Sequence, residues 1–212
     1  MTTIVLSAAM LLACVPVSAS VLTLDDGATH NLDYAVAQDD VHVRNSTTAN
    51  LLTGGSIDWY LQSFDTSTVN ISGGTLVDFL EAYDTSEVNV SGGTMGDNLY
   101  AFDDSTVTVS GGSIEKDLYA FNDSTLTIIG TGFNFAYGDY GTGNWTNGTT
   151  LTGTLEDGTA FNNDVTIFSS GTVTLAAPAT AVPEPSSIAM FGIGALGLFG
   201  YGRRRRQTSA AA

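Results

Sequence analysis

Thr53-Gly54-Gly55, Ser72-Gly73-Gly74, Ser91-Gly92-Gly93 and Ser110-Gly111-Gly112 recur at 19-residue intervals. Gly130 falls on the same frame, and residues 46–50 supply a partial unit upstream. Aligned on these glycines, the apolar residues form columns. Leu52, Ile71, Val90, Val109 and Ile128 make one, and Val69, Val88, Val107 and Leu126 make the next. Ile57, Leu76, Met95, Ile114 and Phe133 make a third. Leu61, Leu80, Leu99 and Leu118 make a fourth, with Ser63, Ala82, Ala101 and Ala120 two residues on. Columns held in register over four units identify a structural repeat.

Inside a unit the apolar residues alternate with polar ones, as in Val88-Asn89-Val90-Ser91. Period two is the pattern of a strand buried on one face. The Gly-Gly pair is expected to turn the chain. Asp65-Thr66-Ser67, Asp84-Thr85-Ser86 and Asp103-Asp104-Ser105 supply the next corner, since Asp side chains favour Asx turns. A unit this short cannot bury its own apolar face, so the coils must stack at a strand spacing of roughly 4.8 Å. The expected fold is all-β: a short parallel β-helix (solenoid) of about five coils of 19 residues. An antiparallel sandwich is the alternative, but one fixed period fits a coil better than a strand pair. The open ends of a stack are unpaired edges that need covering. Residues 20–45 are expected to form an N-terminal cap, residues 46–145 the repeats, and residues 146–181 a C-terminal β cap.

The chain has 212 residues with 22 acids, six bases and a net charge of −16. All the acids but Glu184 lie between Ser20 and Val182, with only Arg44 and Lys116 as bases there, about −19 for the body. That balance argues against nucleic acid as a partner, because phosphate binding needs clustered Lys and Arg. The single cysteine, Cys14, excludes an internal disulfide framework and a cysteine-built zinc site.

Both ends read as addresses. Residues 4–17 are almost wholly apolar and lead into Val17-Ser18-Ala19, a small-x-small cleavage pattern. Residues 1–19 are therefore expected to be a signal peptide, removed by signal peptidase, although Met1-Thr2-Thr3 carries no basic residue. Leu11-Leu12-Ala13-Cys14 offers a second reading, lipidation at Cys14. At the other end, Val182-Pro183-Glu184-Pro185 precedes an apolar run at residues 188–202, then Arg203, Arg204, Arg205 and Arg206. The run is expected to be a transmembrane segment, with the arginines holding residues 207–212 in the cytoplasm.

This triplet of features, residues 182–206, resembles the PEP-CTERM sorting signal of bacterial exported proteins. The resemblance implies cleavage by a membrane protease, the exosortase, after transient anchoring in the inner membrane by the C-terminal helix. It implies a final place at the bacterial cell surface or outside the cell, among the exopolysaccharide of biofilm-forming bacteria. It names a route and no activity.

Three features of the body carry chemistry. Asp65, Asp84, Asp103 and Asn122 fall in one corner column, with Asp104 and Asp123 beside it. Asp84, Asp103, Asp104 and Asp123 are candidates for weak calcium, which would relieve repulsion between stacked carboxylates. The competing reading makes them turn formers. Phe64, Tyr83, Phe102 and Phe121 form a ladder expected in the core, since three of the four are Phe. Trp59, Tyr60, Tyr100 and Tyr119 are the candidate surface contacts for a glycan. Asn70, Asn89 and Thr108 form a polar ladder. His30 and His42 lie outside the glycine-aligned units and have no evident catalytic partner. Acids that recur in every coil are unlike a catalytic site, which is a local exception. No catalytic residue or cofactor is therefore expected. The expected function is a structural or adhesive protein that associates non-covalently with extracellular polysaccharide or with itself. The alternative is a small β-helix polysaccharide hydrolase or lyase.

Overall fold

A computed structural model describes residues 20–37 and 39–179 of the chain. The signal peptide at 1–19, the sorting motif Val182 to Pro185, the membrane segment at 188–202 and Arg203 to Arg206 lie outside the described residues. The chain divides into two units, Met1–Pro178 and Ala179–Ala212, and every described strand belongs to the first. The described residues are all-β, and no helix among them is long and apolar enough to cross a membrane.

The strands follow the coils in chain order. β1 (Ser20–Leu24), β2 (Thr29–Leu32) and β3 (Ala35–Val36) make the first coil. β4 (Asp39–Val43), β5 (Thr48–Leu51) and β6 (Ser56–Ile57) make the second. Then come β7 (Leu61–Ser63) with β8 (Thr68–Leu76), β9 (Leu80–Ala82) with β10 (Glu87–Met95), β11 (Leu99–Ala101) with β12 (Thr106–Ile114), and β13 (Leu118–Ala120) with β14 (Thr125–Thr131). The result is a β-solenoid of about six turns with coils of about 19 residues. Each strand pairs in parallel with its counterpart one coil on, Val88 opposite Val69 and Val107, Leu99 opposite Leu80 and Leu118. Of residues 20–45, expected as a cap, residues 20–37 form the first coil of the stack and β4 opens the second, with Ser20 opposite Asp39 and Thr29 opposite Thr48.

The buried columns account for the fold. Val41, Leu61, Leu80, Leu99 and Leu118 are all 0–1% exposed and lie in one line along the stack. Leu51, Ile71, Val90, Val109 and Ile128 make the facing column on the second sheet. Here the sequence frame is off by one. Leu51, and not Leu52, stands opposite Ile71, because the second coil spends one extra residue in the turn at 52–55. Nor does the Gly-Gly pair break the strand. β8, β10 and β12 run through it, and the ladder shifts register there, as at a bulge. Gly74, Gly93 and Gly112 adopt φ of 74° to 84°, and a Cβ on any of them would meet a carbonyl oxygen of the previous coil at 2.6–2.7 Å. Glycine is required there twice over.

After β14 the chain leaves the stack. β15 (Gly138–Tyr140) pairs antiparallel with the later strand at Thr172–Ala176, and β16 (Thr149–Leu155) pairs antiparallel with the end of β14 and with β17 (Ala160–Ile167). The end of β17 and β18 (Thr172–Ala176) then rejoin it in parallel, Leu118 opposite Val165 and Thr125 opposite Thr172. Phe133 thus leaves the buried column that Ile114 ends and packs half-buried against the core. Trp145 is buried under this excursion, stacked on Tyr140 at 4.3 Å. Asp157 fastens it: its carboxylate accepts the Gly112 N–H at 2.8 Å and the Thr159 N–H at 2.8 Å. Burial pushes this carboxyl up, but the N–H bonds outweigh it and hold Asp157 below the usual carboxylate range.

Candidate functional site

The corners of the coils are built first by their acids. Asn45, Asp65, Asp84, Asp103 and Asn122 all adopt φ of 53° to 58°, the left-handed region that Asn and Asp tolerate best. Each carboxylate then serves the coil before it. Asp65 Oδ2 accepts the Asn45 N–H at 3.0 Å, Asp84 the Asp65 N–H at 2.9 Å, and Asp103 the Asp84 N–H at 3.3 Å. Of the calcium candidates, Asp84 and Asp103 are thus turn formers, Asp123 accepts the Ser170 hydroxyl at 2.5 Å, and Asp104 is exposed. Among the described residues no three His, Cys, Asp or Glu side chains gather where a metal could sit. Asp84→Asn keeps both the φ and the acceptor, so its stability should change by less than about 0.5 kcal/mol, whereas Asp84→Ala should lose about 1–2 kcal/mol in urea unfolding. Equal losses would show that the corner depends on charge.

Two residues on, a buried hydroxyl column completes the corner. Thr47, Ser67, Ser86, Ser105 and Ser124 are at most 1% exposed. Ser67 Oγ reaches the Phe64 and Val43 carbonyls at 2.7 and 3.0 Å, and Ser124 Oγ donates to Ala101 at 3.0 Å. On the outer face of the second sheet, Asn31, Asn50, Asn70 and Asn89 hydrogen-bond in series at 2.8–3.2 Å. Of the polar ladder expected at Asn70, Asn89 and Thr108, the first two belong to this series, and Thr108 stands opposite Asn89 in the next coil.

The first sheet, in which β1, β4, β7, β9, β11, β13 and β17 lie side by side, carries the most distinctive surface. Phe64, Tyr83, Phe102 and Phe121 do not fill the core. Alternation continues through the buried Ala82, Ala101 and Ala120, so the next residue points outward, and the four rings are half-buried. They bury their faces on one another instead: centroids lie 5.1, 4.8 and 4.8 Å apart with interplanar angles of 5°, 8° and 18°. Phe168 extends the ladder at 4.6 Å. At its other end the Arg44 guanidinium covers Phe64 at 4.1 Å, and His42 meets the same ring edge-on. Burial and the Arg44 charge lower the His42 pKa.

A second ladder runs beside the first. Tyr60 stacks on Phe79, Phe79 meets Tyr100 at 5.7 Å, and Tyr100 stacks on Tyr119 at 4.9 Å. Tyr100 and Phe102 join the two at 5.9 Å. Of the four expected glycan contacts, Tyr60, Tyr100 and Tyr119 therefore lie in one strip, while Trp59 is 45% exposed in the turn before β7. Rings stacked in this way present edges and hydroxyls to solvent, with their faces covered by neighbours. Acids and amides fill the spaces between. Tyr83 Oη donates to Glu81 at 3.1 Å, Tyr119 Oη to Asp117 at 3.2 Å, and Gln62 also donates to Glu81. Asn98 donates to Tyr100 Oη at 3.0 Å, and Lys116 pairs with Asp97 at 2.7 Å. Burial and the Glu81 carboxylate push the Tyr83 phenol up to about 12. Burial and then Asp97 raise the Asp78 carboxyl above its ordinary range. The Tyr83 and Tyr119 phenols, both raised first by burial and then by the neighbouring carboxylate, stay neutral donors at neutral pH.

Sequence reasoning missed Phe79 and Phe168. Phe79 is legible as the residue 19 after Tyr60. Phe168 is not, because the excursion between β14 and β17 breaks the period. The acids Asp103, Asp104, Asp117 and Asp123 do not converge. Asp103 and Asp123 serve corners, and Asp117 serves Tyr119.

Compared with known protein families, residues 181–206 match the PEP-CTERM protein-sorting motif. No curated protein and no solved structure matches the chain. The motif implies export, membrane-anchored sorting and processing by exosortase. The body that this signal accompanies is a β-solenoid.

Proposed function

We propose that this exported chain is a non-enzymatic structural or adhesive protein of the bacterial cell surface or extracellular matrix, and that it holds exopolysaccharide along the aromatic strip. The observation that carries this reading is the pair of aromatic ladders, stacked coil upon coil between Tyr60 and Phe168, with the Tyr83 hydroxyl on Glu81 and the Tyr119 hydroxyl on Asp117 set among them. A polysaccharide is also a repeating chain rich in hydroxyls. Rings stacked at a coil step of roughly 4.8 Å, with phenols and acceptors spaced among them, can engage successive sugars without a pocket. Many weak contacts in series give avidity that no single contact supplies. The negative body favours neutral or amino-bearing sugars over uronate-rich chains.

Titrating the exported protein with the host's own polysaccharide in a calorimeter tests the reading. Saturating heat is expected, and the double variant Tyr100→Phe, Tyr119→Phe should bind at least fivefold more weakly, since it keeps the stack but loses two donors. Heat that continues at a steady rate would sink the proposal in favour of turnover. Asp78, with its raised carboxyl beside Asp97, would then be the first acid to replace.

A further inference from the structure

We infer that two copies of the mature chain pair end to end through β1, as an antiparallel strand pair about a two-fold axis. In a parallel ladder a residue directs its N–H and C=O to the same neighbour, and successive residues alternate sides. The Leu24 carbonyl accepts the Arg44 N–H at 2.9 Å on the β4 side. Val21 and Thr23 therefore direct their backbone groups away from β4, where no strand among the described residues pairs with them. Nothing within β1 blunts that edge. Ser20-Val21-Leu22-Thr23-Leu24 holds neither charge nor proline, Val21 is 49% exposed, and Leu22 is only half-buried where it meets the core.

A second copy fits this edge with its strand antiparallel. Centring the pair on Leu22 sets Leu22 opposite its mate and Val21 opposite Thr23. Inward residues of both strands then face one merged interior, and outward residues face solvent. Charge selects the same arrangement. The Ser20 nitrogen donates to Asp39 Oδ1 at 3.0 Å. Removal of the expected leader after Ala19, which lies outside the described residues, converts that nitrogen into an α-ammonium. β1 then begins with a cation and is followed by Asp25 and Asp26. Antiparallel pairing sets each ammonium beside the acids of the second copy, whereas parallel pairing would set like charges together. At the far end of the stack β15 pairs antiparallel over β18 and β16 over β17, and a two-fold pair through β1 uses up that edge on both copies, so the association closes as a dimer and does not propagate as a fibre.

Sedimentation equilibrium of the exported, processed chain, its N-terminus read by sequencing, tests the inference. The expected results are Ser20 as first residue and a mass of two chains at micromolar concentration. Thr23→Pro removes an N–H on the outer edge alone, and Val21→Lys adds charge there. Each should weaken dimerisation at least tenfold, with the unfolding midpoint of the dilute, monomeric protein unchanged. The double variant Tyr100→Phe, Tyr119→Phe should remain dimeric, which separates this interface from the polysaccharide strip. A wild-type monomer, larger assemblies, a first residue other than Ser20, or dimers that survive both edge substitutions would each overturn the inference.

Discussion

Gly93→Ala should destabilise the solenoid by about 2–4 kcal/mol, read as a lower urea midpoint with an unchanged slope. Two costs coincide at this position. Its φ of 84° lies where an L side chain is strained, and the new methyl would stand 2.7 Å from the Gly73 oxygen and 3.0 Å from Gly74 O. Both obstacles are backbone, so neither can swing aside. Gly132 separates the costs: its φ is 65°, but nothing lies within 4 Å of the position a Cβ would take. Gly132→Ala should lose only about 1 kcal/mol. If the two variants lost the same amount, close stacking of the coils would play no part in the glycine requirement.

Leu99→Ala should cost about 2–5 kcal/mol, the usual range for emptying a fully buried leucine site. Leu99 is 0% exposed, with Leu80 and Leu118 opposite it in the coils on either side. The rest of the column is threaded through every coil, so the cavity has little room to collapse. Because each coil touches only its neighbours, the damage should also be local. Hydrogen exchange should quicken in β9, β11 and β13 first and leave β1 and β4 nearly as protected as in the parent protein. Uniform acceleration across all strands would mean that the stack unfolds only as a whole.

The coil was legible because its causes are local and periodic. Val88 and Val90, Leu99 and Ala101, and the Asp-x-Ser corners each repeat with one residue type per position, and parallel pairing at a 19-residue offset follows. Leu52 misled by one place because the extra residue at 52–55 sits in a turn, where no apolar pattern marks it. The Phe64 ladder misled for another reason. Phe usually gains from burial in a core, yet these rings satisfy that preference against each other on the outer wall, a possibility visible only once coil spacing and ring orientation are known. The buried Ser column was hidden because Ser67, Ser86 and Ser105 read equally well as solvated turn residues. The return of β17 and β18 to the stack depends on contacts 47 residues apart in sequence, which no local pattern encodes.

The handing of each Asp carboxylate to the coil before it has a consequence for how such a chain changes over generations. The contacts from Asp65 to Asn45, from Asp84 to Asp65 and from Asp103 to Asp84 are the same contact made three times. A duplicated stretch of gene encoding one 19-residue unit would insert a coil that finds its partners ready on both sides. It would lengthen the wall by one step and leave the two ends as they were. Lineages can therefore lengthen or shorten this protein like a ruler, by copying or dropping whole units, without solving a new folding problem.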